Sequence, residues 1–281
     1  MTTTDWATLL ATGCRVPADR PLDYLVDELC GMLAAQNPAI RDDIAYPVMV
    51  TWLNRGELDG RLRALGERMV RTLDHPEIQA RTFAPMILGW VVLRDARTGE
   101  LDRATVLNWR DRFGKWWLTE PDLRGWDDRL GWLHAIAHGA DALRAFSRSP
   151  RLTGPDLCAL LDLAVDRLLA PTGYLFAHGE DDRVAYAVAT ILTRRDLSTL
   201  DSVAWLDRIR VAFASGEPGP VPAWASNTVH TLRALYIAAE RGVRWYEPHI
   251  GGMGNPMPLA HPAEVRLALV ATLREVAPHL G

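Results

Sequence analysis

Cysteine is scarce in this chain. Three residues in 281, Cys14, Cys30 and Cys158, lie scattered, with no Cys-x-x-Cys pair. An odd, sparse set argues against a disulfide framework or a zinc knuckle and fits a reducing compartment. Lysine is scarcer still: Lys115 stands alone among 31 basic residues, the rest being arginine. A net charge of −4 leaves no basic excess, which argues against a nucleic-acid or anionic-membrane partner. No apolar run approaches the ~20 residues of a membrane span. The start of the chain, Met1 to Trp6, lacks the basic and apolar regions of a signal peptide, so a cytoplasmic protein is expected. Period-2 alternation, the mark of a half-buried strand, is nearly absent.

What the chain has is apolar residues at helical spacing, in a composition 48% hydrophobic and 23% charged. The spacing predicts helices over 23–36, 38–53 (kinked at Pro47), 58–73, 77–94 (interrupted by Pro85), 101–118, 127–146, 155–169, 181–193, 200–214, 223–241 and 262–277. This is an all-α protein, a single helical domain over residues 1–281. Helix pairs of roughly 35–45 residues fit an α-α superhelix, a HEAT-like array; a compact α-α barrel or bundle is the alternative. Two longer irregular pieces interrupt the series, 215–222 and 247–260. The second, with Gly251-Gly252-Met253-Gly254-Asn255-Pro256, is long enough to cover a site.

The most informative stretch is Trp132-Leu133-His134-Ala135-Ile136-Ala137-His138-Gly139-Ala140-Asp141. On a helix over 127–146, Leu133, Ile136, Ala140 and Leu143 form an aliphatic face. Ala135, Gly139 and Ala142 form a small face, and Asp127, His134, His138 and Asp141 a polar one. Such a helix is central rather than superficial. Gly139 implies the close approach of another backbone. His134 and His138, at i and i+4, would project from one side. They suit a metal site, zinc first and iron or manganese if carboxylates dominate, or an acid–base pair oriented by Asp141. It is not the zincin motif, since Ala135 stands where that motif has its glutamate. The plainer reading is a wet face with two ordinary histidines.

The run Glu120-Pro121-Asp122-Leu123-Arg124-Gly125-Trp126, followed by Gly131-Trp132-Leu133-His134-Ala135-Ile136-Ala137-His138-Gly139-Ala140-Asp141-Ala142-Leu143, resembles the signature of the bacterial DUF2785 family, a domain of unknown function. The likeness extends to Arg41–Tyr46, Arg81–Phe83, Glu180–Arg183 and Leu232–Tyr236, and so spans most of the chain. Asp127-Asp128-Arg129-Leu130 departs from it in being more charged. The resemblance implies an all-helical fold and a shared site; it carries no activity.

Other groups are candidates to meet the histidines. Glu180 heads the apolar stripe Val184, Ala187, Val188 and Ile191, so it faces inward or caps its helix; with Asp181 and Asp182 it also complements the helix dipole. Arg124 and Arg183 are candidate anion ligands, or partners of nearby acids; for Arg124 these are Glu120 or Asp122. Trp132 is a candidate pocket wall among 11 tryptophans. His178 is a weaker candidate, and Asn227 with His230 a further wall. His75, His249, His261 and His279 are expected at the surface. Two functions follow. One is an enzyme on a small polar molecule, with His134, His138, Asp141, Glu180 and Asp181 as acid–base or metal groups, and metal-assisted hydrolysis as its default chemistry. The other is a non-enzymatic helical-repeat binder whose histidines form a structural polar network. A homodimer is left open.

Overall fold

The computed structural model describes residues 4–216, 219–247 and 252–280. His249, Gly251 and the tip of the first irregular loop lie outside them, as do residues 1–3.

The chain is helical throughout, as the spacing predicts. The elements are α1 (Trp6–Ala11), α2 (Leu22–Leu33), α3 (Pro38–Ile40), α4 (Tyr46–Arg55), α5 (Leu62–Thr72), α6 (Ile78–Thr98) and α7 (Arg103–Thr119). They continue with α8 (Ala135–Ser147), α9 (Gly154–Leu169), α10 (Glu180–Leu192), α11 (Asp201–Ala214), α12 (Ala223–Arg241) and α13 (Pro262–Val276). Among the described residues the paired strands are two short hairpins, β1 (Trp126–Asp127) with β2 (Gly131–Trp132) and β3 (Tyr246–Glu247) with β4 (Gly252–Met253). No described helix is long and apolar enough to cross a membrane.

Local chemistry sets the boundaries. Asp102 caps α7, its carboxylate accepting from the Thr105 amide at 2.7 Å. Thr153 and Asp156 form a capping box at the start of α9. Glycines in the left-handed region close α4 (Gly56, φ 83°) and α6 (Gly99, φ 71°); α6 therefore runs a turn past the expected end at Arg94. The kink expected at Pro47 takes the form of a π-helical turn, Arg41–Ala45, immediately before α4. Pro47 has no amide to give and its ring crowds the preceding turn, and a widened turn relieves both.

Buried apolar residues from Trp6 to Leu269 form one contiguous cluster. Neighbours follow chain order two apart: α4 packs on α6, α6 on α8, α8 on α10 and α10 on α12, while α5, α7, α9, α11 and α13 make a second such series. α8 lies between α6 and α10, and nearly its whole length is buried. Its expected centrality holds. Gly139 does meet a close neighbour, but it is a side chain rather than a backbone: a Cβ there would lie 2.1 Å from Trp117 Nε1.

Candidate functional site

The helix predicted over 127–146 begins eight residues late. Asp127 Oδ1 accepts from the amides of Arg129 and Leu130, at 3.0 and 2.9 Å, and folds the chain into a turn. Gly131, at φ 72°, completes the β1–β2 hairpin. The carbonyl of Gly125 then accepts from Leu133, at 2.9 Å, and those of Arg124 and Gly125 from His134, at 3.2 and 3.3 Å. His134 is thus the residue before α8, in the left-handed conformation (φ 50°, ψ 40°), and Asp127 is on no helix. The two histidines do not project from successive turns of one helix, as their spacing suggested. They come together nonetheless, with ring centroids 5.7 Å apart.

The side chains form a gradient of depth. Trp126 and Trp132 are 44% and 43% exposed and meet edge to face at 4.8 Å. His178, also exposed, stacks on His134 at 6.2 Å and 11° and meets Trp132 edge-on. His134 is half-buried, 4.4 Å from the Trp132 ring, and its Nε2 is buried without a hydrogen-bond partner. His138 is buried at the bottom, against Phe83. Its Nδ1 lies 3.1 Å from the carbonyl of Thr82 on α6, an acceptor only, so the proton sits on Nδ1 and Nε2 keeps its lone pair.

Glu180, the first residue of α10, is fully buried, the inward one of the two placements open to it at the head of an apolar stripe. Its Oε1 accepts from the Tyr174 hydroxyl at 2.8 Å and its Oε2 from the His178 amide at 2.7 Å. Tyr174 in turn accepts from the amide of Gly125 at 2.9 Å. Burial, then the bond to Glu180, raises the Tyr174 pKa, so it remains a donor. Gly125 has no room for a side chain: a Cβ would stand 2.6 Å from Glu180 Oε1.

The other predicted residues lie around this cluster. Asp141 is bonded to Arg183, whose Nε lies 3.1 Å from Oδ1; the His138 ring is oriented by Thr82. Asp181 is nearest His230 of α12, at 3.9 Å. Arg124 pairs with Asp122 and Asp127 at the exposed rim. Asn227 holds the 174–176 loop, accepting from Phe176 and donating to Tyr174. His261 is half-buried, bonded to Leu197 and Thr199. Among the described residues no three His, Cys, Asp or Glu side chains form a group that could hold a metal ion. Zinc, iron or manganese at His134 and His138 would therefore find no third such ligand among the described residues. Trp126 is one of the tryptophans crowded around the motif, of which one or two could wall a pocket. Gly125 and Tyr174 were missed as site residues, and of these only Gly125 carried a signal, as part of the Glu120–Trp126 run.

Burial pushes the pKa of His138 well below its usual 6.5; the neighbouring His134 and Arg183 act the same way, and the Thr82 bond opposes them. Burial also lowers His134, with Glu180 opposing. Both imidazoles are neutral at pH 7. A histidine whose folded pKa is depressed takes its proton first in the unfolded chain. Stability is then complete above about pH 6.5 and falls below it, by up to about 1.4 kcal/mol per pH unit for each such histidine. Urea unfolding at pH 7.5 and 5.5 should show this loss, and His138→Gln should lose less. Equal losses in the two proteins would refute the assignment.

No curated protein and no solved structure matches the chain. The family described as "Protein of unknown function (DUF2785)" matches residues 69–237, a stretch that holds the entire cluster from Thr82 to Glu180 but not Arg41–Tyr46. The chain belongs to the DUF2785 family.

Proposed function

We propose that the His134 cluster is a binding and proton-transfer site for a small polar molecule, entered between Trp126, Trp132 and His178. The observation that carries this is His134 itself. A histidine serving only the fold ends with its nitrogens satisfied and its backbone relaxed. His134 has neither: Nε2 is buried without a partner and the backbone is left-handed. That conformation costs a non-glycine residue roughly 1–2 kcal/mol; bonds from the Leu133 and His134 amides to the carbonyls of Gly125 and Arg124 hold it, while Nε2 gains no partner from it. Strain and an unmet polar atom on one residue beside two exposed tryptophans are features of a ligand site.

The chemistry follows from the charges. A neutral imidazole accepts a proton from a bound hydroxyl, amide or activated water. Glu180, which favours the charged form of His134, stabilises the resulting imidazolium. Acid–base catalysis is the enzymatic form of this reading. The second reading, a structural network in a non-enzymatic helical array, draws support from the bond between His138 and Thr82; it accounts for His138 and not for His134.

His134→Gly separates the two. Glycine relieves the left-handed backbone and removes the unmet nitrogen, so the variant should unfold within about 1 kcal/mol of wild type, or above it. A compound from a panel of amides, carboxylates and polyols that raises the wild-type Tm should leave the variant unmoved. Destabilisation by more than about 2 kcal/mol would show that the ring is core packing, and the proposal would fail.

A further inference from the structure

Beyond His138 the edge of α8 continues with Asp141, Arg144 and Arg148. It faces a groove between α6 and α10, flanked by Trp245, just before β3, and Met253 of β4. Two cavities of about 400 and 330 Å3 open there and share Trp90, Leu93, Arg144 and Trp245. Volumes of this size suit a small organic ligand.

The lining has an unusual charge for this chain. Arg94, Arg97, Arg144, Arg148 and Arg183 border the cavities. Among the described residues Asp59 takes Arg94 at 2.7 Å, and Asp141 takes Arg183 and lies 4.0 Å from Arg144. In a protein of net charge −4, five arginines thus meet in one groove. Aromatic faces accompany it. Arg148 lies over Trp245 at 4.4 Å and Arg144 over Tyr186 at 5.6 Å. Two donors remain unmet within the same lining: Arg144 Nε and the Tyr186 hydroxyl are buried without an acceptor. Both can donate, and a buried donor lacks only an acceptor.

We infer that this groove binds a small anion that carries a planar ring. Arg144 and Tyr186 donate to the oxyanion, and the ring lies against the Trp90 and Trp245 walls. Guanidinium groups suit a phosphate or carboxylate because their donors form a planar fork. Aromatic walls favour a flat apolar body over a bare ion. The site is separate from the histidine cluster and does not use His134.

Calorimetric titration with phenyl phosphate and with inorganic phosphate, at one ionic strength, tests it. Phenyl phosphate should bind about tenfold tighter than inorganic phosphate, the ratio expected of one good aromatic contact. Arg144→Gln should weaken phenyl phosphate about tenfold or more, as loss of a charge-assisted bond does. Trp245→Leu should bring it to the level of inorganic phosphate, and His134→Gly should leave it unchanged. Thermal melts establish that each variant is folded; should Arg144→Gln not fold, Trp245→Leu decides. No binding of phenyl phosphate at millimolar concentration would overturn the inference. So would equal affinity for the two anions, or an affinity indifferent to Arg144 or Trp245.

Discussion

Arg41→Met is expected to lower the unfolding free energy by about 3 kcal/mol or more. Arg41 is fully buried, and its guanidinium serves four residues on three parts of the chain. Nη2 donates to the carbonyls of Leu130, at 2.6 Å, and Trp132, at 3.3 Å. Nη1 donates to Ala35 at 3.1 Å, and Nε to the carboxylate of Asp42 at 2.7 Å. Its face lies 4.9 Å from the Phe83 ring, the same ring that touches His138. Methionine replaces the stem but none of the donors. The buried carbonyl of Leu130, two part-buried carbonyls and a half-buried carboxylate are then left unmet, and the buried one costs more to strand than its bond contributed. The damage should spread to the site, because Leu130 and Trp132 belong to the hairpin that presents His134. Amides of 125–134 should exchange faster in hydrogen-exchange experiments while those of α12 keep their protection. Arg41→Lys should recover less than half of the loss, since one ammonium cannot reach four residues. A loss below about 1 kcal/mol would mean that water replaces the guanidinium and that the hairpin stands without it.

Gly139→Ala should lower stability by about 2 kcal/mol, against the ordinary preference of a helix. In an open position alanine gains about 1 kcal/mol over glycine. At Gly139 the added methyl would stand 2.1 Å from Nε1 and 2.2 Å from Cδ1 of Trp117. That indole is fully buried and stacked on Phe113 at 5.9 Å, so it has nowhere to turn. Overpacking of this kind costs about 1–3 kcal/mol beyond the propensity gain. Gly31→Ala is the control: it lies within α2, exposed, with nothing within 4 Å of its Cβ position. It should stabilise by up to about 1 kcal/mol. Opposite signs in urea unfolding would locate the effect at the Trp117 contact. Stabilisation by both would show that α7 and α8 can part without loss.

Helical spacing alone was enough for much of this. It located nearly every helix, put α8 at the centre and set Glu180 at the head of an apolar stripe, because which side of a helix faces the core depends on the order of a few neighbouring residues. The pairing of Arg124 with Asp122 was legible for the same reason, since the two are neighbours in the chain. The site's geometry was not. His134 leaves the helix because carbonyls of Arg124 and Gly125 capture the amides of Leu133 and His134. Asp141 meets an arginine 42 residues away, and the tautomer of His138 depends on a carbonyl 56 residues earlier. Gly139 announced a close approach, yet the approaching group is an indole from α7. The chain's own order therefore sufficed for the elements and their inward faces, which periodicity encodes locally. The choice of partner for each polar group was settled by packing between distant segments, where several acceptors compete and only the folded geometry brings one within hydrogen-bond reach.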